Sequence, residues 1–196
     1  MNDLPKPLRA ALLVTRELEG LGVPYRVGGS FASSVFGEPR AAAGIDIAAE
    51  LRPEDARRLP ERLGDAFYVP LDAALEAVRE HGSFSLLHLE SVLKVDVFAV
   101  GDDPFQRQSI ARSTRLQLGT SPADAFAIPT PEDLVLQKLH WYRLEGETSS
   151  KEWLDVLGIL KVQGERLDRA HMALWAARIG VPDLLARALE ASALSH

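Results

Sequence analysis

The chain has no cysteine. Disulfides, thiolate metal sites and thiol nucleophiles are therefore excluded. It also lacks an excess of positive charge: 22 Lys and Arg stand against 28 Asp and Glu, for a formal net charge of −6. Such a balance repels nucleic acid in bulk. Arg52, Arg57, Arg58 and Arg62 cluster, and that cluster reads as the solvated face of a helix. No apolar run approaches the ~18 residues of a membrane span. The N-terminus has no basic stretch feeding an apolar one, so the expectation is a cytoplasmic protein with no membrane partner. His81, His88, His140, His171 and His196 show no metal-ligand spacing. There is no zinc motif, no Walker loop and no dinucleotide fingerprint.

What is present is ordinary globular usage. The 196 residues are 46% hydrophobic and 26% charged, enough for a core without covalent staples. Periodicity predicts a helix over 7–20, a strand over 24–27, a short helix from Ser30 and a strand over 45–51. A helix opening at Arg52-Pro53, a strand over 67–69 and a helix over 71–81 follow. Phe84–Leu89 and Val92–Val100 form a hairpin around Glu90-Ser91, and Ile110–Leu118 and 126–128 read as strands. From Thr130-Pro131, an N-cap followed by proline at the first helical position, only helices are expected: 131–145, 150–163, 167–179 and 182–193. The chain thus divides into an α/β part, 1–128, and a helical part, 129–196. Trp141, Trp153 and Trp175 lie at helical positions beside leucines and are expected in the core.

Three features carry chemistry. Gly28-Gly29-Ser30 ends a strand and opens a helix, which presents backbone N–H groups to a phosphate. A tight structural turn is the competing account of the same residues. Sixteen residues after Ser30 comes Asp46, in a strand where acids are rare. Asp96 is a second strand acid, inside Leu93-Lys94-Val95-Asp96-Val97-Phe98. Two acids on two strands near a phosphate-binding turn make an oxygen-ligand site suited to Mg²⁺.

Val27-Gly28-Gly29-Ser30-Phe31-Ala32-Ser33, Gly37-Glu38-Pro39-Arg40 and Ile45-Asp46-Ile47 together resemble the nucleotidyltransferase superfamily with the DNA polymerase β-like palm. The tail, Thr130 to Leu139 and then Trp153-Leu154-Asp155-Val156-Leu157, is similar to that of the AbiEii-type toxin-like nucleotidyltransferases. The resemblance implies a mixed sheet flanked by helices, a C-terminal helical bundle and a site in the cleft between them. It implies transfer of a nucleoside monophosphate from an NTP to an RNA or protein acceptor, with Mg²⁺ or Mn²⁺, and an antitoxin as a partner.

By position, Gly28, Gly29 and Ser30 are the implied triphosphate cradle. Asp46 is the second acid of a metal-binding pair, and Asp96 is the third acid, associated with activating the attacking hydroxyl. Lys138 is implied to approach the phosphates, and Asp155 to support the site.

The chain also departs from the pattern. Gly44 stands where the first acid of the pair belongs, and Ala42 and Ala43 replace the usual Thr and Arg. Leu154 replaces a common basic residue. Glu50 lies about 13 Å along the strand from Asp46, at about 3.3 Å per residue, too far to replace the lost acid. Glu38 sits in the preceding turn. Two readings follow: an enzyme with an altered metal site, or a non-catalytic binding module on the same fold.

Overall fold

The computed structural model describes residues 4–39 and 44–193. Arg40, Ala42, Ala43 and His196, which enter the sequence argument, lie outside the described residues. In chain order the elements begin α1 (Lys6–Gly20), β1 (Tyr25–Val27), α2 (Gly29–Phe36), β2 (Ile45–Ala49) and α3 (Pro53–Leu63). Then come β3 (Phe67–Tyr68), α4 (Leu71–Glu80), β4 (Ser83–His88), β5 (Leu93–Ala99), α5 (Pro104–Ala111), β6 (Thr114–Gln117) and β7 (Ala125–Ile128). The last four are α6 (Pro131–Leu144), α7 (Ser150–Gln163), α8 (Arg169–Arg178) and α9 (Pro182–Ala193). They form two compact units, Met1–Gly29 with Ala43–Pro129, and Ser30–Ala42 with Thr130–His196.

The first unit is built on a five-stranded mixed sheet of order β1-β2-β5-β4-β3. Only β2 and β5 are parallel; the other pairings are antiparallel. The strands alternate as the pleat requires. Ile45 and Ile47 of β2, Val95 and Val97 of β5 and Phe84 and Leu86 of β4 are all buried. The even members of β2 and β5 face the other way. There Ala48, Val100 and Ile110 of α5 make a small apolar cluster. Helix α1 packs against β1, β2, β5 and β7, burying Leu12, Val14 and Leu18. Strands β6 and β7 form a separate ribbon.

Helix α5 corrects the expectation of a strand beginning at Ile110. The Asp103 side chain accepts from the N–H groups of Phe105 and Gln106, and Pro104 occupies the first turn. This cap wins over the apolar alternation further along, and Ile110 falls inside the helix.

The second unit is helical. Thr130, Ser149 and Asp168 cap α6, α7 and α8 with side-chain acceptors. Helix α6 packs on α7, α8 and α9, and α7 and α8 each pack on α9. Asp133, 0% exposed, binds His171 Nε2 at 2.6 Å, and Glu132 accepts from the Asp168 N–H at 3.0 Å. These two bonds tie α6 to α8. Within this unit the turn after α2 lies backbone to backbone on α7. A Cβ on Gly37 would come 2.9 Å from the Ile159 amide nitrogen. Gly37 therefore has a packing reason. The tryptophans, in contrast, are not in the core. Trp141 is 39% exposed, Arg187 stacks over Trp153 at 4.6 Å, and Arg178 over Trp175 at 4.8 Å. Guanidinium faces cover the indoles where leucines were expected.

Candidate functional site

The strand pairing places the first unit's acids. Asp46 of β2 and Asp96 of β5 are register partners on adjacent parallel strands. Paired residues in a sheet share a face, so both carboxylates project from the same side. Ser85 is the register partner of Asp96 on β4, and its hydroxyl donates to Asp96 Oδ1 at 2.5 Å. Lys94 Nζ stands 3.7 Å from the same oxygen. Asp96 is 34% exposed at its side chain, so it is partly open to solvent.

The glycine turn meets these acids through Asp46. The Gly28 N–H donates to the Asp46 carbonyl at 2.8 Å, which extends the β1–β2 ladder by one bond. Gly29 has φ +64°, a left-handed conformation that favours glycine. A Cβ on Gly29 would overlap the Asp46 carboxylate. The missing side chain thus leaves the space that the Asp46 carboxylate fills. Ser30 follows on α2 and belongs to the second unit; its carbonyl accepts from the Ser34 hydroxyl at 3.1 Å.

Arg26 was passed over in the sequence. It is 1% exposed and sits opposite Ala48 on β1, so it shares the face of Asp46 and Asp96. Its Nη2 donates to Gln106 Oε1 at 2.6 Å. Its guanidinium is thus buried on the sheet face that carries the two carboxylates. Only the strand register reveals it, because Tyr25-Arg26-Val27 read linearly is an ordinary short strand.

The second unit holds the other predicted residues. Lys138 is 3% exposed, and its Nζ lies 2.7 Å from Asp155 Oδ2 and 2.8 Å from Glu152 Oε2. Lys138 and Asp155 are therefore brought together. The third member, Glu152, was missed, although it precedes Asp155 by three residues on α7 and so shares its face. One cation between two carboxylates leaves the trio net negative. Glu38 pairs with Lys161 at 3.2 Å in this same unit. Leu154 is 65% exposed.

Among the described residues, no group of three His, Cys, Asp or Glu is arranged to hold a metal ion. Asp46 and Asp96 put two carboxylates on one sheet face, the donor type and number that Mg²⁺ takes from a protein. That ion is commonly held by one or two carboxylates, its other ligands being waters and substrate phosphates. Gly44 lies at the entry to β2, and among the described residues a Cβ there would meet only the Lys94 carbonyl, at 3.9 Å.

Nearly the whole chain superposes on one solved structure. An antigenic nucleotidyltransferase-like protein from Paracoccidioides brasiliensis matches with a TM-score of 0.52 and 15% identity, over 94% of this chain and 92% of that one. The antibiotic-resistance factor ANT(2'')-Ia matches with a TM-score of 0.49 and 12% identity, over 92% and 96%. No family model matches the sequence, and no curated protein matches it. The first likeness shows a nucleotidyltransferase-like fold; the second adds no argument. No described helix is long and apolar enough to cross a membrane.

Proposed function

We propose that this chain is a nucleotidyltransferase whose nucleotide end is built from the Gly28-Gly29 turn, Asp46 and Asp96. The observation that carries the reading is the register of Asp46 on Asp96, on one sheet face, with the Asp46 carboxylate seated against Gly29. Negative charges side by side on neighbouring strands are unfavourable without a cation. Lys94, 3.7 Å from Asp96, supplies part of it, and a divalent cation, Mg²⁺ or Mn²⁺, would neutralise the phosphates when bound. Asp46 and Asp96 are the residues that would hold it.

In the transfer, Asp96 takes the proton of an acceptor hydroxyl. The freed oxygen forms a bond to the α-phosphorus of the NTP, and the bond to pyrophosphate breaks. The Ser85 hydroxyl holds Asp96 by one oxygen and fixes its orientation. Gly29 keeps Asp46 in place by offering no side chain. Lys138, held by Asp155 and Glu152, is a charge-pairing residue within the second unit. The experiment is incubation with each NTP and Mg²⁺ or Mn²⁺. Pyrophosphate release is read beside mass spectrometry of RNA and protein acceptors. The reading expects NMP addition that Asp96→Asn abolishes while nucleotide still binds. A finer form, an AbiEii-type toxin with an antitoxin partner, expects growth arrest on expression that Asp96→Asn relieves.

A second reading has one observation in its favour. Gly44 leaves the metal end with one acid fewer than paired-acid chemistry uses. In that reading the same face binds nucleotide and releases no pyrophosphate.

A further inference from the structure

An antiparallel sheet with one wet side normally carries polar residues there. The side of β3, β4 and β5 that bears Asp96 departs from this. Tyr68 of β3 is the register partner of Leu87 on β4, and Leu87 is the partner of Lys94 on β5. Leu87 and Lys94 lie two residues from Ser85 and Asp96 on their own strands, so all five residues share one face. The members that alternate with them, Phe67, Phe84, Leu86, Val95 and Val97, are buried. Tyr68, in contrast, is 59% exposed, and Leu87 is half-buried. An apolar strip therefore leads away from Asp96. At about 4.8 Å per strand and 3.3 Å per residue, Leu87 is roughly 8 Å from it and Tyr68 roughly 12 Å.

Beyond Leu87 and Lys94 comes the turn that joins β4 to β5. Leu89 and Val92 of this turn are 50% and 74% exposed. Val92 has φ 54°, a left-handed backbone that is a genuine outlier for a β-branched residue. His88 Nδ1 and Ser91 Oγ, 2.6 Å apart, hold the turn in this shape. Strain of this kind gathers at ligand clamps, and so exposed a side chain offers little packing to offset it. Charge decides between occupants. Lys94 is the one Lys or Arg in β3, β4 and β5, and it already stands 3.7 Å from Asp96. A polynucleotide is held chiefly by cations on its phosphates, and this strip supplies none beyond Lys94, in a chain of net charge −6. An extended polypeptide is held by apolar seats for alternate side chains, which the strip does supply.

We propose that the acceptor is a protein, and that Tyr68, Leu87, Leu89 and Val92 seat an extended segment of it whose hydroxyl reaches Asp96. The proposal rests on the nucleotidyltransferase reading and names the acceptor class which that reading leaves open. A Ser, Thr or Tyr hydroxyl of the segment gives its proton to Asp96, its oxygen bonds to the α-phosphorus of the NTP, and pyrophosphate leaves. An extended chain advances about 3.3 Å per residue, so residues two and four positions from the hydroxyl lie about 7 and 13 Å from it. Those are the reaches of Leu87 and Tyr68.

The test incubates the full chain with each NTP and Mg²⁺ or Mn²⁺. Short degenerate peptides centred on Ser, Thr or Tyr are offered in one arm and degenerate single-stranded RNA in the other, with NTP binding measured alongside by calorimetry. The expected result is NMP on peptides enriched in apolar residues two and four positions from the modified one, and none on RNA. The variant is Tyr68→Ser/Val92→Asn. Both positions are exposed and asparagine tolerates the left-handed backbone, so the fold is kept, which its NMR spectrum verifies. It is expected to bind NTP as wild type does, with KM for an enriched peptide raised roughly tenfold or more. Modification of RNA instead of peptides, peptides modified without that enrichment, an unchanged KM in the variant, or NTP bound with no acceptor modified would each overturn the proposal and leave nucleotide binding standing. Absence of NTP binding would overturn the nucleotidyltransferase reading and the proposal with it.

Discussion

The Asp46 carboxylate occupies the space that a side chain on Gly29 would need. This couples the turn to the acid strand: the glycine is required by its own backbone and by its neighbour's carboxylate. Gly29→Ala therefore carries two penalties. The left-handed backbone costs about 1–2 kcal/mol, and displacement of Asp46 adds to it. Gly22 provides the control, since its φ is +71° and a Cβ there meets nothing within 4 Å. Denaturant titration is expected to show a clearly larger loss for Gly29→Ala than for Gly22→Ala. Only Gly29→Ala is expected to lose nucleotide binding.

Gly44→Asp places an acid at a position where, among the described residues, a Cβ meets only the Lys94 carbonyl. If Asp46 and Asp96 already hold a cation, a third carboxylate strengthens Mg²⁺-dependent nucleotide binding. A tenfold gain, about 1.4 kcal/mol, is expected in a calorimetric titration. No gain would count against the assignment of this face.

Lys138 pairs with two acids in a nearly closed setting, with side-chain exposures of 4% for itself, 4% for Asp155 and 16% for Glu152. Lys138→Met leaves those acids without their cation. The cost is expected to be about 3–5 kcal/mol, the range for breaking a buried pair from one side. Lys138→Met/Glu152→Gln recovers part of it, because one negative charge is removed with the positive one. A double-mutant cycle in urea measures the coupling.

Tyr25 gives the fold an alkaline limit. Burial, and then its hydrogen bond to Glu19 at 2.6 Å, push its hydroxyl well above the usual phenol range. A raised folded-state value means the contribution is complete below the unfolded value near 10 and is lost as pH rises beyond it. Over that window the slope from this one group is at most about 1.4 kcal/mol per pH unit, with stability falling. Tyr25→Phe is expected to flatten the alkaline limb of a stability-against-pH curve. An unchanged limb would contradict it.

Much of this architecture is legible in the sequence, for identifiable reasons. Helices α6 to α9 carry strong punctuation: Thr130-Pro131, Ser149, Asp168 and Pro182 mark their starts. The acids of β2 and β5 stand out because carboxylates are rare in apolar strands. Helix α5 was lost because Ile110 and Leu116 suggested alternation and the cap at Asp103 is local and short. The tryptophans were misplaced because linear spacing does not show Arg187 and Arg178 lying over their rings. Arg26 and Ser85 join the acids only through strand register, which depends on distant pairings. Glu152 was within reach, since its i, i+3 relation to Asp155 needs no tertiary information.

The most direct test is thermal unfolding with each NTP, with Mg²⁺, with Mn²⁺ and without metal, beside Asp46→Ala. A ligand at 100 times its Kd stabilises by about 2.7 kcal/mol, a Tm shift of roughly 5–10 °C for a chain of this size. The account predicts a metal-dependent rise for wild type that Asp46→Ala abolishes. No rise with any nucleotide, or an equal rise in Asp46→Ala, would contradict it.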